Sequence, residues 1–466
     1  MVDGKRSSGP LATRTAQIAE EIARLIETGA LQPGARLASI RRAAQQFRVS
    51  KNTVVDAYDR LVSAGLVVSR PGSGFAVRTR PAEGGRSRPR HVAEAVDIAS
   101  LLSAQLEESF AIRVGDGRPP ASWMEESEVR RHLGLQGRLR SGRGDGYGSA
   151  LGHLPLRQRL ASGLAERDIA ASPEQILMTF GANHALDLLI RRLLLPGDTV
   201  LVDDPGYYPL FAKLTLAQVT MVGVARTPHG PDPDDLAAKA EAVRPKLFFT
   251  QSLAHNPTGS SISLPVAHAV LTIAERAGFA IVDDDPFSDL PTVAGVRLAA
   301  LDQLRNVISV GTFSKTLSAS LRCGYIAARP ETIASVAELK MLTTVNSSGH
   351  VERLVHGLIE EGHYRRHLKR LAARIRNATD DVLARLAEIG LEPFSGPTGG
   401  YYLYLRLPDG VSDIALAREA AQIGIFIAPG SVFSVDKQTR PGAIRVNIGH
   451  ADDPRFFDFL HRATQR

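Results

Sequence analysis

From about residue 150 onward the sequence alternates short β-branched apolar runs with helical stretches, the pattern of an α/β sheet. Five runs stand out: Ile176–Phe180, Thr199–Val202, Leu247–Thr250, Phe279–Val282 and Val307–Val310. Each breaks off at small or polar residues. In a parallel sheet the carboxyl ends of neighbouring strands open on one crevice, where ligands bind. The residues just past each run therefore matter more than the run itself.

The first run turns at Gly181-Ala182-Asn183 into a helix with Ala185, Leu186, Leu189 and Leu193 on one face. Such a turn exposes backbone N–H groups and a positive dipole end to a phosphate, although many strand–helix junctions are only tight turns. The second ends in Asp204-Pro-Gly-Tyr207-Tyr208, an aromatic that either stacks on a flat ring or closes the core's edge. The third leads to His255-Asn256-Pro-Thr-Gly259, and the fourth to Asp283-Asp284-Asp285-Pro-Phe287. Three carboxylates after a buried strand are costly unless they meet a cation. A metal and a protonated ring nitrogen compete for that role, and no His or Glu cluster supports the metal, so no metal site is assigned. The fifth run opens into Thr312-Phe-Ser314-Lys315, with Arg322 seven residues on. A lysine there can form a Schiff base with an aldehyde, while the hydroxyls and guanidinium suit a phosphate on it. Near the C-terminus, Ala443-Ile-Arg445-Val sets an arginine in an apolar strand, where burial requires an anion.

The first eighty residues differ. They hold 13 Lys/Arg against 6 Asp/Glu, an excess equal to the +7 of the whole 466-residue chain, which leaves the rest near neutral. A basic module on a neutral body is expected to meet a polyanion. Thr13 is placed to cap a helix with Ile18, Ile22, Leu25 and Ile26 on one face, closed by Gly29. A second helix is expected over Ile40–Phe47, opening on Arg41 and Arg42. A third is capped by Ser50, with Val54, Tyr58 and Leu61 inward and Lys51, Asn52 and Thr53 in its exposed first turn. Leu66–Arg70, a turn at Pro71-Gly72-Ser73-Gly74, and Phe75–Val77 make a hairpin. Three helices and a hairpin form a winged helix-turn-helix. Its third helix would enter the major groove, with Arg41 and Arg70 on phosphates or the minor groove; protein contact is the competing use. Residues 80 to 96, rich in Pro, Gly and Arg, have linker composition. The single cysteine fits a reducing cytoplasm, and neither a signal peptide nor a membrane span of about 18 apolar residues is expected.

The head resembles the GntR-type DNA-binding domain through Pro33-Gly34, Leu37-Ala38-Ser39-Ile40-Arg41, Ser50-Lys51-Asn52-Thr53-Val54 and Gly72-Ser73-Gly74. It departs at Ala38, where that family usually has proline, and at Lys51, often arginine. The body resembles the fold-type I pyridoxal phosphate enzymes of the aspartate aminotransferase superfamily, and the whole chain a MocR-type regulator of the GntR superfamily. The resemblance implies a winged helix over residues 1–79, a flexible linker over 80–99 and an aminotransferase-like effector domain over 100–466. That domain would have a mostly parallel sheet in its large part (about 140–340) and a smaller α+β part (about 341–466). Arg41, Ser50, Lys51, Asn52, Thr53, Arg70 and Gly72 would bind operator DNA.

Carried over by motif, Lys315 would form the Schiff base, Asp284 pair with the pyridinium nitrogen, Asn256 bond the phenolic oxygen and Tyr207 stack on the ring. Gly181, Ala182, Asn183, Thr312, Ser314 and Arg322 would take the phosphate. Tyr147 would reach the phosphate of a neighbouring subunit, implying a head-to-tail homodimer, and Arg445 would hold an effector carboxylate. The implied function is a cytoplasmic transcription regulator that senses pyridoxal phosphate or a small amino compound through an aldimine at Lys315. The alternative is a class I/II aminotransferase with an accessory DNA-binding head. Phe287, where that superfamily usually has tyrosine, argues against a physiological enzyme, while Asn256 in Asn-Pro-Thr-Gly leaves residual aminotransferase activity open.

DNA affinity is expected to fall steeply with salt, because phosphate contacts by Lys and Arg release counterions. In binding assays across duplex sequences, substituting Lys51 should relax base preference, whereas substituting Arg41 should weaken all sites evenly.

Overall fold

The computed structural model describes residues 14–27, 31–32, 34–64, 66–70, 74–77, 110–136, 146–436 and 442–465. Thr13, Gly29, Gly72 and the linker lie outside the described residues, as does the side chain of Arg70. The chain divides into two compact units, Met1–Arg88 and Pro89–Arg466.

In the first unit, α1 (Arg14–Glu27), α2 (Ile40–Phe47) and α3 (Lys51–Ser63) precede β1 (Val67–Arg70) and β2 (Gly74–Val77). Ser39 and Ser50 start α2 and α3 by accepting the amides of Arg42 (3.4 Å) and Thr53 (3.2 Å), which satisfies donors that no helical carbonyl can reach. Ile18, Ile22, Val54, Tyr58 and Leu61 meet in one core with Val67 of the hairpin. The Tyr58 hydroxyl ties α3 to the turn before α2 by donating to the Ala38 carbonyl at 2.9 Å. β1 and β2 pair antiparallel from Val67↔Val77 to Arg70↔Gly74. This is the expected winged helix.

In the second unit β3 (Ile176–Thr179), β4 (Thr199–Asp204), β5 (Thr220–Thr227), β6 (Gly230–Pro231), β7 (Leu247–Thr250), β8 (Ala280–Asp285), β9 (Val307–Thr312) and β10 (Gly324–Ala327) form one sheet. Its order is β3-β10-β9-β8-β7-β4-β5-β6. The five strands from β9 through β5 run parallel, β10 is antiparallel to both neighbours, and β6 is antiparallel to β5. Successive residues point to opposite faces. Phe248, Ile281 and Val307 therefore join one core cluster, and Phe249, Val282 and Ile308 the other. With both faces covered, the strands read as unbroken apolar runs.

A second sheet has the order β11-β13-β12, from β11 (Tyr402–Arg406), β12 (Ala428–Pro429) and β13 (Ala443–Asn447), all antiparallel. The 26-residue helix His363–Glu388 leads into it. Residues 110–118 attach there too: Ile112 bridges Ile425, and the amide of Asn447 donates to the Val114 carbonyl at 2.8 Å. Among the described residues no helix is long and apolar enough to cross a membrane.

Two strands run further than the apolar residues alone indicate. β4 continues to Asp204 and β8 to Asp285. The strands keep pairing through the carboxylates because two of these find donors inside the sheet, Asp203 on Arg226 and Asp283 on Ser252.

Leu61 is 2% exposed in the head's core. Leu61→Ala should destabilise the head by about 2–5 kcal/mol. Hydrogen exchange of α3 amides should accelerate accordingly, with β7 to β9 unchanged.

Candidate functional site

β9 delivers Lys315 to the carboxyl edge of the parallel strands, three residues past Thr312. Its Nζ donates to the Gly117 carbonyl, and its own carbonyl accepts from the Tyr401 hydroxyl at 3.0 Å. Tyr402 also donates to Gly117 O, at 2.7 Å. Burial pushes the Lys315 amine down to about 8; the Arg445 charge acts in the same direction and Asp116 opposes it. A neutral, nucleophilic amine is therefore within reach near physiological pH.

The three aspartates of β8 have different fates. Asp283 accepts from the amide (2.9 Å) and hydroxyl (2.7 Å) of Ser252. Asp285 lies 3.7 Å from Arg297 Nε and is pushed up to about 7 by burial. Asp284 points to the other face, where Gln251 Nε2 donates to its Oδ2 at 2.8 Å. Its Oδ1 is buried without a hydrogen-bond partner. Burial pushes Asp284 up to about 6 against the Gln251 bond. Asp284, Tyr207, Gln251 and His255 line one small pocket. An unmatched carboxylate oxygen facing a cavity with an aromatic wall suits a flat, protonated heterocycle.

Behind it lies a buried ionic network. Arg226 donates to Asp203 (2.8 Å), to Ser260 (3.1 Å) and to the Gln251 carbonyl (2.9 Å), while Thr250 Oγ1 donates to Asp203 at 2.8 Å. Burial pushes His255 down to about 4, and Arg226 acts in the same direction. This network fixes the backbone from which Gln251 reaches Asp284.

Gly181 turns at φ +85° into the helix Ala182–Leu193. Arg322 Nη2 would come within 3.2 Å of a Cβ placed on Gly181, and Ser314 Oγ within 3.5 Å. Ser314 Oγ accepts from Arg322 Nη1 and from Thr312 Oγ1, both at 3.2 Å. A helix N-terminus, two hydroxyls and a guanidinium thus converge, which is the donor set of a phosphate site.

Arg445, 1% exposed, lies between the rings of Tyr402 (5.0 Å) and Phe433 (4.9 Å). It donates to Asn256 Oδ1 at 2.9 Å and to the Gly115 carbonyl at 2.6 Å, while its Nε has no hydrogen-bond partner. Phe287 is fully buried against Tyr401 and Tyr402, with ring centroids at 5.5 and 5.8 Å. Tyr147 is 89% exposed.

In the head, Arg41, Lys51 and Asn52 are exposed, while the Ser50 hydroxyl is engaged with Thr53. Sequence reasoning missed the carbonyls of Gly115 and Gly117, and also Gln251, Tyr402 and the Asp203–Arg226–His255 network. Gln251 stands directly after β7 and could have been noted; backbone carbonyls leave no signal in the sequence.

With this geometry established, comparison with known proteins is informative. Residues 112–454 match the family described as aminotransferase class I and II, and residues 14–77 match bacterial regulatory proteins of the gntR family. The chain belongs to the aminotransferase class I and II family, a fold-type I family of pyridoxal phosphate proteins. With its gntR head it is a MocR-type regulator. The HTH-type transcriptional regulator TauR of Rhodobacter capsulatus is 28% identical over 465 residues, 94% of each chain. The probable rhizopine catabolism regulatory protein MocR of Rhizobium meliloti is 28% identical over 463 residues, 94% of this chain and 90% of its own. Among solved structures, the α-aminoadipate aminotransferase LysN of Thermus thermophilus, complexed with N-(5'-phosphopyridoxyl)-L-leucine, gives a TM-score of 0.72 at 25% identity. That match covers 80% of this chain and 96% of LysN.

Asp284, with a native pKa raised to about 6, holds more protons folded than unfolded between about pH 4 and 6. Stability therefore falls as pH rises through that window, and the burial cost is fully present above it. Asp284→Asn should stabilise the cofactor-free protein at pH 8 by on the order of 1–3 kcal/mol. Denaturant melts at pH 4 should show no such gain.

Proposed function

We propose that the protein regulates transcription in the cytoplasm by binding operator DNA through α3 and the wing, and by carrying pyridoxal phosphate at Lys315 as the sensor of its body. One observation carries this reading. A basic winged helix is joined to a site in which a half-buried lysine, an unmatched Asp284 oxygen and the Gly181–Ser314–Arg322 cluster lie on one sheet edge.

The residues fit the cofactor. Lys315 would anchor its aldehyde covalently, and Asp284 Oδ1 would accept the proton of the ring nitrogen, with Tyr207 stacked on the ring. Arg445 occupies Asn256 Oδ1, which leaves the amide Nδ2 as the donor that would bond the phenolic oxygen. The amides of Gly181, Ala182 and Asn183, with Thr312, Ser314 and Arg322, would hold the phosphate, and Tyr147 would reach that of a partner in a head-to-tail homodimer. When bound, the cofactor supplies an electrophilic carbon for an amino group. Phe287 offers no hydroxyl to the ring, which favours sensing over turnover.

The loop 115–118 suggests how occupancy is transmitted. Its Gly117 carbonyl holds Lys315, and its Gly115 carbonyl holds Arg445. Covalent use of the lysine displaces the first, and an effector carboxylate on Arg445 displaces the second. The effector is thus an amine bearing a carboxylate, or the cofactor itself. The same loop lies within the body at 100–466, which the 80–99 linker joins to the head at 1–79. Any ligand that binds the two loop positions unequally shifts their populations.

Operator duplexes selected from random sequence should bind holo protein, apo protein and Lys315→Ala with affinities that differ several-fold. Equal affinities, with and without carboxylate-bearing amines, would falsify cofactor-linked regulation. Multiple-turnover transamination without sequence-selective DNA binding would assign the chain to the enzymes instead.

A further inference from the structure

A second cluster of ligating side chains lies outside the residues assigned to Lys315 and its cofactor. The helix Ser127–Gln136 carries His132, and the turn Glu361-Gly362-His363 joins the helix Gly349–Glu360 to the helix His363–Glu388. One ligand atom from each of His132, Glu361 and His363 lies within 4.8 Å of the others.

The protonation pattern makes this cluster more than a chance gathering. His132 is 6% exposed, and its Nδ1 lies 2.9 Å from the Glu128 carbonyl. A carbonyl only accepts, so Nδ1 carries a hydrogen, and Nε2 is the ring atom turned to the cluster. That Nε2 is buried without a hydrogen-bond partner and faces Glu361 Oε1 at 3.2 Å. The nitrogen and the carboxylate are matched by a cation between them, a proton or a metal ion. His363 Nε2 stands 3.2 Å from the other oxygen of the same carboxylate. Its Nδ1 lies 3.5 Å from Glu128 Oε2. Glu128 therefore fixes the His132 ring through its carbonyl, while its carboxylate only lies near His363. Such outer partners orient metal-binding histidines.

We propose that His132, Glu361 and His363 bind a divalent transition metal of the zinc class, with water at the fourth position. Two imidazoles and one carboxylate suit zinc, whereas magnesium and calcium prefer all-oxygen sites. The site is empty in this structure. Arg131 stands in the ion's place, with Nη2 2.8 Å from His363 Nε2 and 3.4 Å from Glu361 Oε2, and Arg366 Nη2 lies 2.7 Å from His363 Nδ1. Both arginines are exposed and would turn outward for a divalent ion to take over the carboxylate. The metal would clamp the helix bearing His132 to the turn from which the chain runs toward the second sheet.

Full-length protein, treated with EDTA and dialysed, is titrated with zinc chloride and separately with magnesium chloride by calorimetry. One zinc per chain at micromolar affinity is expected, with no magnesium response. Glu361→Gln and His363→Ala, both outside the core, should each weaken zinc at least tenfold while circular dichroism stays unchanged. Arg131→Ala should tighten it several-fold by removing the competing cation. Zinc affinity that survives both ligand substitutions, or binding only at millimolar zinc, overturns the proposal. Affinity that falls in Arg131→Ala overturns it as well, because a guanidinium that competes with the ion cannot support its binding.

Discussion

Three consecutive carboxylates held below 10% exposure at the end of β8 are the constraint on which the body's architecture turns. Charges there are tolerated only when each is bonded, neutralised or left facing a ligand. The alternation of a strand separates them. Asp283 and Asp285 point to one face and Asp284 to the other, where Tyr207 and Gln251 line the cavity with it. Ser252, at the end of β7, completes Asp283, so the parallel pairing of β7 with β8 is itself part of the electrostatics. One oxygen of Asp284 stays unmatched, on a residue that lines the same pocket as Tyr207.

The same economy of partners recurs around Arg445. A fully buried guanidinium needs anions or carbonyls, and it finds the Asn256 amide and the Gly115 carbonyl between two aromatic faces. These bonds hold the segment 110–118 against the second sheet, along with the bridge from Ile112 to Ile425. A loop that satisfies both a lysine and an arginine with backbone carbonyls is exchangeable in a way that a side-chain ion pair is not.

Much of the fold was legible from local pattern. Ser50 and Ser39 announce helix starts because a hydroxyl there answers an orphan amide. The inward set Val54, Tyr58 and Leu61 follows from helical spacing, and each is buried. The five apolar runs of the body are all strands, since residues covered on both faces have no polar alternation to show. Boundaries were less legible where polar residues continue a strand, as through Asp203-Asp204 and Asp283–Asp285, because their partners lie on other strands. β10, which supplies the antiparallel insertion between β3 and β9, was not read at all: Gly324–Ala327 is four residues long and carries no turn signal of its own.

The sequence by itself determined which chemistry stands at which strand end: the lysine, the aspartates, the glycine turn and the buried arginine, together with a basic head built to enter a groove. Local preference and periodicity encode those features over a few residues. Only the tertiary structure decided which Asp284 oxygen is unmatched, that Gln251 holds the other, and that Gly117 caps Lys315 from 198 residues away. It also decided that His132 faces a carboxylate some 230 positions further on. Contacts at such separations depend on sheet order and helix packing, and backbone carbonyls are the same at every residue, so no stretch of sequence announces them.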